Sequence, residues 1–190
     1  MRNLALIGPQ KSGKSTLATL LAKENGYARV GISDAIKELA GKAYPQHFPT
    51  FNKNDSTIVR DYNGEQLIES RHLLQQLGAA VRSVDLDFWL KCFRRSYMQQ
   101  LRAGNLVVVD DVRLDREASF LRHIDPTVAI VRVYASARIR EQRGGRELVG
   151  VDDITETGWK IAEPDFELDT SDLKAEDAHR KLLEFMEVDE

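Results

Sequence analysis

The chain has 190 residues, 42% of them hydrophobic and 30% charged, a balance that suits one soluble globular domain and excludes a disordered or membrane-embedded chain. Its one cysteine, Cys92, excludes a disulfide framework and a cysteine-based zinc site. The net charge of -3 hides a division: residues 1–146 carry 23 Lys/Arg against 15 Asp/Glu, and residues 147–190 carry 4 against 15. A basic body with an acidic end points to a bound anion rather than to a surface coated with nucleic acid. The longest early apolar run is Leu4–Ile7, too short for a signal peptide or a membrane span, so the cytoplasm is the expected location.

In chain order, Leu4–Ile7 reads as a short buried strand. A helix over 14–25 follows, with Leu17, Leu20 and Leu21 on one face and Gly26 as its stop. Tyr27–Ile32 is a second strand, and Ser33 or Asp34 caps a helix running to Ala43. Pro45 and Pro49 end it, and 46–63 is polar and turn-rich, a loop or insertion. Residues 65–77 have helical spacing through Leu67, Ile68, Leu73, Leu74 and Leu77, and 88–102 form another helix closed by Gly104. Leu106–Val109 is the strongest strand signal and runs into Asp110 and Asp111. A short helix over 116–123, a strand over 128–134, a charged helix over 136–147, a strand over 166–168 and a terminal helix over 174–186 complete the pattern.

Strands alternating with helices imply a three-layer α/β/α fold around a parallel five-stranded sheet. Ligands then bind in the loops beyond the carboxyl ends of the strands. The first such loop, from Gly8 to Ser15, fits G-x-x-x-x-G-K-[ST] at every fixed position and lies between a strand and a helix. Glycines there turn backbone N–H groups around phosphate oxygens, and the helix start adds positive potential. Gly8, Lys11, Ser12, Gly13, Lys14, Ser15 and Thr16 are therefore the expected ATP-binding stretch. Lys14 reaches the β- and γ-phosphates, and the Ser15 hydroxyl is a ligand for Mg2+. Asp110, ending a buried strand, is the second expected Mg2+ ligand, while Asp111 opens the loop toward the second substrate.

Arg138, Arg140, Arg143 and Arg146 fall within nine residues after the 128–134 strand, interrupted by Gly144 and Gly145. Arginines bind two phosphate oxygens at once, and a lid that closes over a transferring phosphoryl group needs such cations. Arg138, Arg140 and Arg143 join Lys14 as expected catalytic residues, and Arg138 is also expected on ATP.

The phosphate loop, Ser33-Asp34-Ala35-Ile36-Lys37, the stretch Arg71-His72-Leu73-Leu74-Gln75-Gln76-Leu77-Gly78, Arg82, and Asp111-Val112-Arg113-Leu114-Asp115-Arg116-Glu117-Ala118 occur in that order. Together they resemble the phage-type deoxynucleoside monophosphate kinases, a branch of the P-loop nucleotide kinases. The resemblance covers most of residues 3–172. It implies a kinase with an acceptor-binding region over about 33–89 and a lid over about 136–160, using ATP and Mg2+. It places Ser33, Asp34 and Lys37 on the acceptor side, Arg71 and Arg82 on the acceptor's phosphate, Gln75 at its base, and Arg113 in the site. Lys11 bridges toward the acceptor phosphate. Asp169 and Thr170 resemble the turn that flanks adenine in small P-loop kinases. Ala35 stands where the family often has proline, and Thr155 and Glu156 stand where its lid often has a Ser-Glu pair.

The expected reaction is phosphorylation of a nucleoside monophosphate, with a deoxynucleoside monophosphate as the partner, no polymer of nucleic acid, no membrane, and room for a homodimer. Two alternatives stay open. One is a kinase for a hydroxyl acceptor such as dephospho-coenzyme A or another metabolite, which requires a carboxylate base. The other is a nucleotide-dependent switch protein.

Overall fold

The computed structural model describes residues 1–45, 58–61, 63–144, 158–160 and 162–187. It divides into two compact units, Met1–Gly31 with Ser96–Glu190, and Ile32–Arg95.

The first unit holds a parallel sheet in the order β2-β5-β1-β6-β7. These strands are β1 (Leu4–Ile7), β2 (Ala28–Arg29), β5 (Val107–Val112), β6 (Ala129–Tyr134) and β7 (Phe166–Asp169). β1 lies in the middle, with Leu4 opposite Val108 of β5 and Ala129 of β6. Leu4, Leu6, Val108, Val131, Val133 and Leu168 pack with Leu17, Ala18 and Leu21 of α1 (Lys14–Asn25) and Ala178, Leu182 and Met186 of α7 (Ala175–Glu187). Strand side chains alternate between faces. The intervening Ala5, Ile7, Val107, Val109 and Ile130 are also fully buried, so the opposite face is covered as well. α5 (Asp115–Ile124) carries buried Ala118 and Leu121. The expected five-stranded α/β architecture is present, and all strands present their carboxyl ends at one edge.

A buried polar knot locks the opposite edge. Asp125 accepts hydrogen bonds from Asn3 Nδ2 at 2.7 Å, Tyr97 OH at 2.7 Å and Thr127 Oγ1 at 2.6 Å. Asn3 Oδ1 in turn accepts the N–H of Val107 at 2.7 Å, which ties β5 to the start of β1. Each such buried group is costly to leave unmatched, so the knot specifies strand placement as well as stability.

The second unit contains α2 (Asp34–Ala43), the strands β3 (Ile58–Arg60) and β4 (Gln66–Glu69), α3 (Ser70–Val84) and the first part of α4 (Phe88–Arg102), within which the division falls. β3 and β4 form an antiparallel pair in which Val59 lies opposite Ile68. This corrects the expectation of a loop through Asn63 and a helix from Glu65. The turn is organised by Asp61, whose Oδ1 accepts the N–H groups of Asn63 at 2.8 Å and Glu65 at 2.9 Å. Val59 and Ile68 then pack with Ala40, Tyr44, Leu73, Leu74 and Leu77. Leu67, on the other face, stays exposed. Ile68 therefore satisfies a strand pattern, and helical spacing is real only from Leu73 onward.

Other boundaries shift modestly. β2 is shorter than 27–32: it spans Ala28–Arg29, which pair with Val107 and Val108 of β5. The charged helix is confined to α6 (Ala137–Gln142), and Gly144 at φ 78 turns the chain out of it.

Candidate active site

The loop after β1 is built by glycines where side chains cannot go. A Cβ at Gly8 would stand 2.0 Å from the carbonyl oxygen of Val133, so any other residue collides with β6. Gly13 adopts φ 101 directly before α1, and Lys11 adopts φ 62, an uncommon left-handed position for a residue with a side chain. Lys14 is buried, with its ammonium curled into the loop. It donates to the carbonyls of Gly8 at 2.8 Å and Pro9 at 2.6 Å, and to Ser12 Oγ at 3.4 Å. The loop thus combines a buried cation, a glycine-shaped backbone and a helix start, which suits a phosphate group.

Asp110 stands near the carboxyl end of β5, 4% exposed. Both its oxygens are engaged by Arg29 of β2, Nε to Oδ1 at 2.9 Å and Nη2 to Oδ2 at 2.6 Å. Sequence reasoning missed Arg29. Its signal was a cation placed within a strand whose neighbours are apolar. Each carboxylate oxygen has a second acceptor site, and Mg2+ characteristically keeps several waters. Ser15, in the first turn of α1, and Asp110 offer oxygen donors of the kind Mg2+ takes, and they are the residues that would hold such an ion.

Asp111 and Arg113 follow on the same segment, both half-buried. Glu117, a second residue without an assigned role, holds this segment. Its Oε2 accepts the N–H groups of Arg113 at 2.7 Å and Leu114 at 3.1 Å. Burial pushes the Glu117 carboxyl up to about 7, helped by the charge of Asp111, against the pull of those two N–H bonds and of Arg113. Gly158 packs on the same turn, where a Cβ would come 3.0 Å from Leu114 Cδ2 and 3.3 Å from the Arg113 carbonyl.

The expected lid residues part company. Arg138 is exposed and Arg140 is half-buried. Arg143 is bound to the turn after β7, with Nη2 donating to the Thr170 carbonyl at 2.6 Å and Nη1 to Thr170 Oγ1 at 3.0 Å. Thr170 itself is buried and donates from Oγ1 to the Ser12 carbonyl at 2.8 Å. Asp169 closes the turn by accepting the N–H and hydroxyl of Ser171 at 2.8 and 2.6 Å. Lys11, Ser12, Lys14, Arg143, Asp169 and Thr170 are thus brought together at one edge of the sheet. Arg146, Thr155 and Glu156 lie outside the described residues.

In the second unit, Ser33 precedes α2, and Lys37 Nζ donates to Asp34 Oδ1 at 2.9 Å. Arg71, Gln75 and Arg82 lie along α3 and are exposed. Gly78 makes room on that helix: a Cβ there would meet the Arg82 guanidinium and Ile36 Cδ1, each at 3.3 Å. Trp89 is buried, and its indole N–H donates to the Gly78 carbonyl at 3.1 Å, which makes it a core residue. Among the described residues no group of three or more His, Cys, Asp or Glu could hold a metal ion, and no helix is long and apolar enough to cross a membrane.

A family model described as deoxynucleotide monophosphate kinase matches residues 53–174. The shikimate kinase of Pseudomonas savastanoi pv. phaseolicola is 30% identical over 152 residues, which are 71% of this chain and 78% of that protein. The shikimate kinase of Synechococcus sp. RCC307 is 26% identical over 166 residues, 81% of this chain and 80% of that one. Among solved structures, a sugar kinase from Janibacter sp. HTCC2649 superposes with a TM-score of 0.60 at 17% identity, covering 98% of this chain and 95% of that one. Shikimate kinase from Aquifex aeolicus gives 0.53 at 18% identity over 100% and 98%. At such identities the structural likeness establishes the fold alone.

Proposed function

Because the chain belongs to the deoxynucleotide monophosphate kinase family, we propose that it transfers the γ-phosphoryl group of ATP to a deoxynucleoside monophosphate, giving ADP and the diphosphate. It is a small-molecule kinase of the P-loop type; the acceptor is the step proposed. The observation that carries the reading is the Gly8–Ser15 loop with buried Lys14, in a chain whose family match spans Arg71, Gln75, Arg82 and Arg113.

The acceptor's phosphate oxygen attacks the γ-phosphorus, a new P–O bond forms, and the bond to the β-phosphate oxygen breaks. A phosphate monoester has a second pKa of about 6, so the attacking oxygen is already ionised at neutral pH and no general base is needed. Catalysis reduces to positioning and charge neutralisation. The loop amides and Lys14 hold the donor, and Arg138 and Arg140 neutralise charge on the transferring group. Ser15 and Asp110 would hold Mg2+, which would supply positive charge to neutralise the phosphate oxygens. Arg71 and Arg82 bind the acceptor's phosphate, Gln75 its base, and Ser33, Asp34, Lys37, Asp111 and Arg113 complete the acceptor site, with Thr155 and Glu156 from the lid. The acceptor-binding region is 33–89 and the lid 136–160 of one kinase domain, working in the cytoplasm.

A hydroxyl acceptor, as in the shikimate kinases to which the chain is related, is the second reading. It needs a carboxylate base, for which Asp34, whose Oδ1 accepts from Lys37, and half-buried Asp111 are the candidates. The deciding experiment measures ADP formation from ATP against the common deoxy- and ribonucleoside monophosphates and shikimate. Turnover confined to monophosphates supports the reading. Turnover of shikimate alone overturns it.

A further inference from the structure

The carbonyl groups of the phosphate loop are held from outside. Thr170, 4% exposed beyond β7, donates its hydroxyl to the Ser12 carbonyl at 2.8 Å. Its own N–H is anchored on the Tyr134 carbonyl of β6 at 2.9 Å, so the donor is fixed to the sheet. Arg143 adds a fork. Its Nη2 donates to the Thr170 carbonyl at 2.6 Å, and its Nη1 donates to Thr170 Oγ1 at 3.0 Å and reaches the Lys11 carbonyl at 3.4 Å. Gly13 lies beside this brace at φ 101, a backbone conformation that residues with side chains rarely adopt.

The peptide bonds are trans, and in a planar trans peptide the C=O and the N–H point in opposite directions. The Lys11 carbonyl shares its peptide with the Ser12 N–H, and the Ser12 carbonyl shares its peptide with the Gly13 N–H. Drawing both carbonyls toward Thr170 and Arg143 therefore turns the N–H groups of Ser12 and Gly13 the other way. We propose that Thr170 and Arg143 are positioning residues that aim the Ser12 and Gly13 amides at the phosphate chain of the nucleotide. The inference rests on the reading of Gly8–Ser15 as the nucleotide's phosphate site. It gives the turn after β7 a task directed at polyphosphate rather than at the base, and it separates Arg143 from Arg138 and Arg140. Preformed amide dipoles are effective because they need no reorganisation when the charge arrives.

The test is calorimetric titration of the full chain with ATP and, separately, with inorganic tripolyphosphate, which has no base. Thr170→Val keeps the volume and removes the hydroxyl. It weakens both ligands by the same roughly five- to tenfold, the worth of one hydrogen bond. Thr170→Ser restores the hydroxyl and returns both affinities to within about twofold of the parent. Arg143→Met, at an exposed position whose loss does not threaten folding, weakens tripolyphosphate in parallel with ATP, and it decides the matter if Thr170→Val does not fold. Tripolyphosphate binding left unchanged by Thr170→Val or Arg143→Met, with ATP alone weakened, overturns the proposal in favour of a base-side role. A parent protein that binds neither ligand overturns the phosphate-site reading itself, a result distinguishable from the first.

Discussion

The two units hold their candidate functional groups in opposite ways. In the first, Lys14, Asp110 and Thr170 are buried and tied by several bonds each, so the phosphate side is shaped by backbone and core. In the second, Arg71, Gln75 and Arg82 are exposed on one helix, and Lys37 is half-buried beside Asp34. The candidate donor groups are thus built into the folding of the sheet, while the candidate acceptor groups are long side chains on a smaller core. A loop proposed to cradle a polyphosphate gains from rigidity. A region that distinguishes acceptors changes most cheaply when its contacts lie outside the core.

Substitutions in the two units should therefore separate cleanly. The largest effect belongs to Lys14→Ala, which removes the one buried cation of the loop and lowers kcat/KM by a factor on the order of a thousand, about 4 kcal/mol, with the fold retained. Steady-state kinetics with circular dichroism checks it, and near-normal turnover by a folded variant breaks the contrast. Next, Asp125→Ala strands donors from Asn3, Tyr97 and Thr127 and lowers the unfolding free energy by about 3 kcal/mol, measured by urea denaturation.

Arg71→Ala or Arg82→Ala, in the second unit, raises KM for the acceptor about tenfold and leaves KM for ATP and the unfolding free energy nearly unchanged, because both residues are exposed. A loss of stability as large as that at Asp125 would show that these arginines serve packing instead. The last effect concerns Glu117 and is one of pH. Its folded pKa is raised to about 7 from an ordinary 4.5, so between those values the folded state keeps a proton that the unfolded state has lost. Its contribution to stability therefore falls as pH rises from about 4.5 to about 7 and is flat above. Glu117→Gln removes that slope, which urea titrations at pH 5, 6 and 8 would reveal. A slope that survives the substitution assigns it to another group.

Much of the first unit was legible in the chain. The Gly8–Ser15 motif reports its own backbone, because the glycines are required where φ is positive or where a Cβ would strike Val133. The β-branched run at Val107–Val109 reports a buried strand in the same direct way. The β3–β4 pair was not legible, because Ile68 suits a helical face and a strand face equally until Val59 is opposite it. Arg29 was missed for a related reason. Its partner Asp110 is 81 residues away, and no local pattern announces an ion pair between adjacent strands.

Sequence by itself determined the class of fold, the glycine-bearing loop from Gly8 to Ser15 and the family, since each depends on spacing within a few residues or on order along the chain. Tertiary structure alone decided which of the cations are engaged. Arg143 reads in sequence as one of four equivalent arginines, yet its guanidinium is committed to Thr170 and the Lys11 carbonyl. The reason is that a hydrogen bond depends on where two groups meet in space, and the meeting of residues 143, 170 and 11 is a property of strand order rather than of spacing.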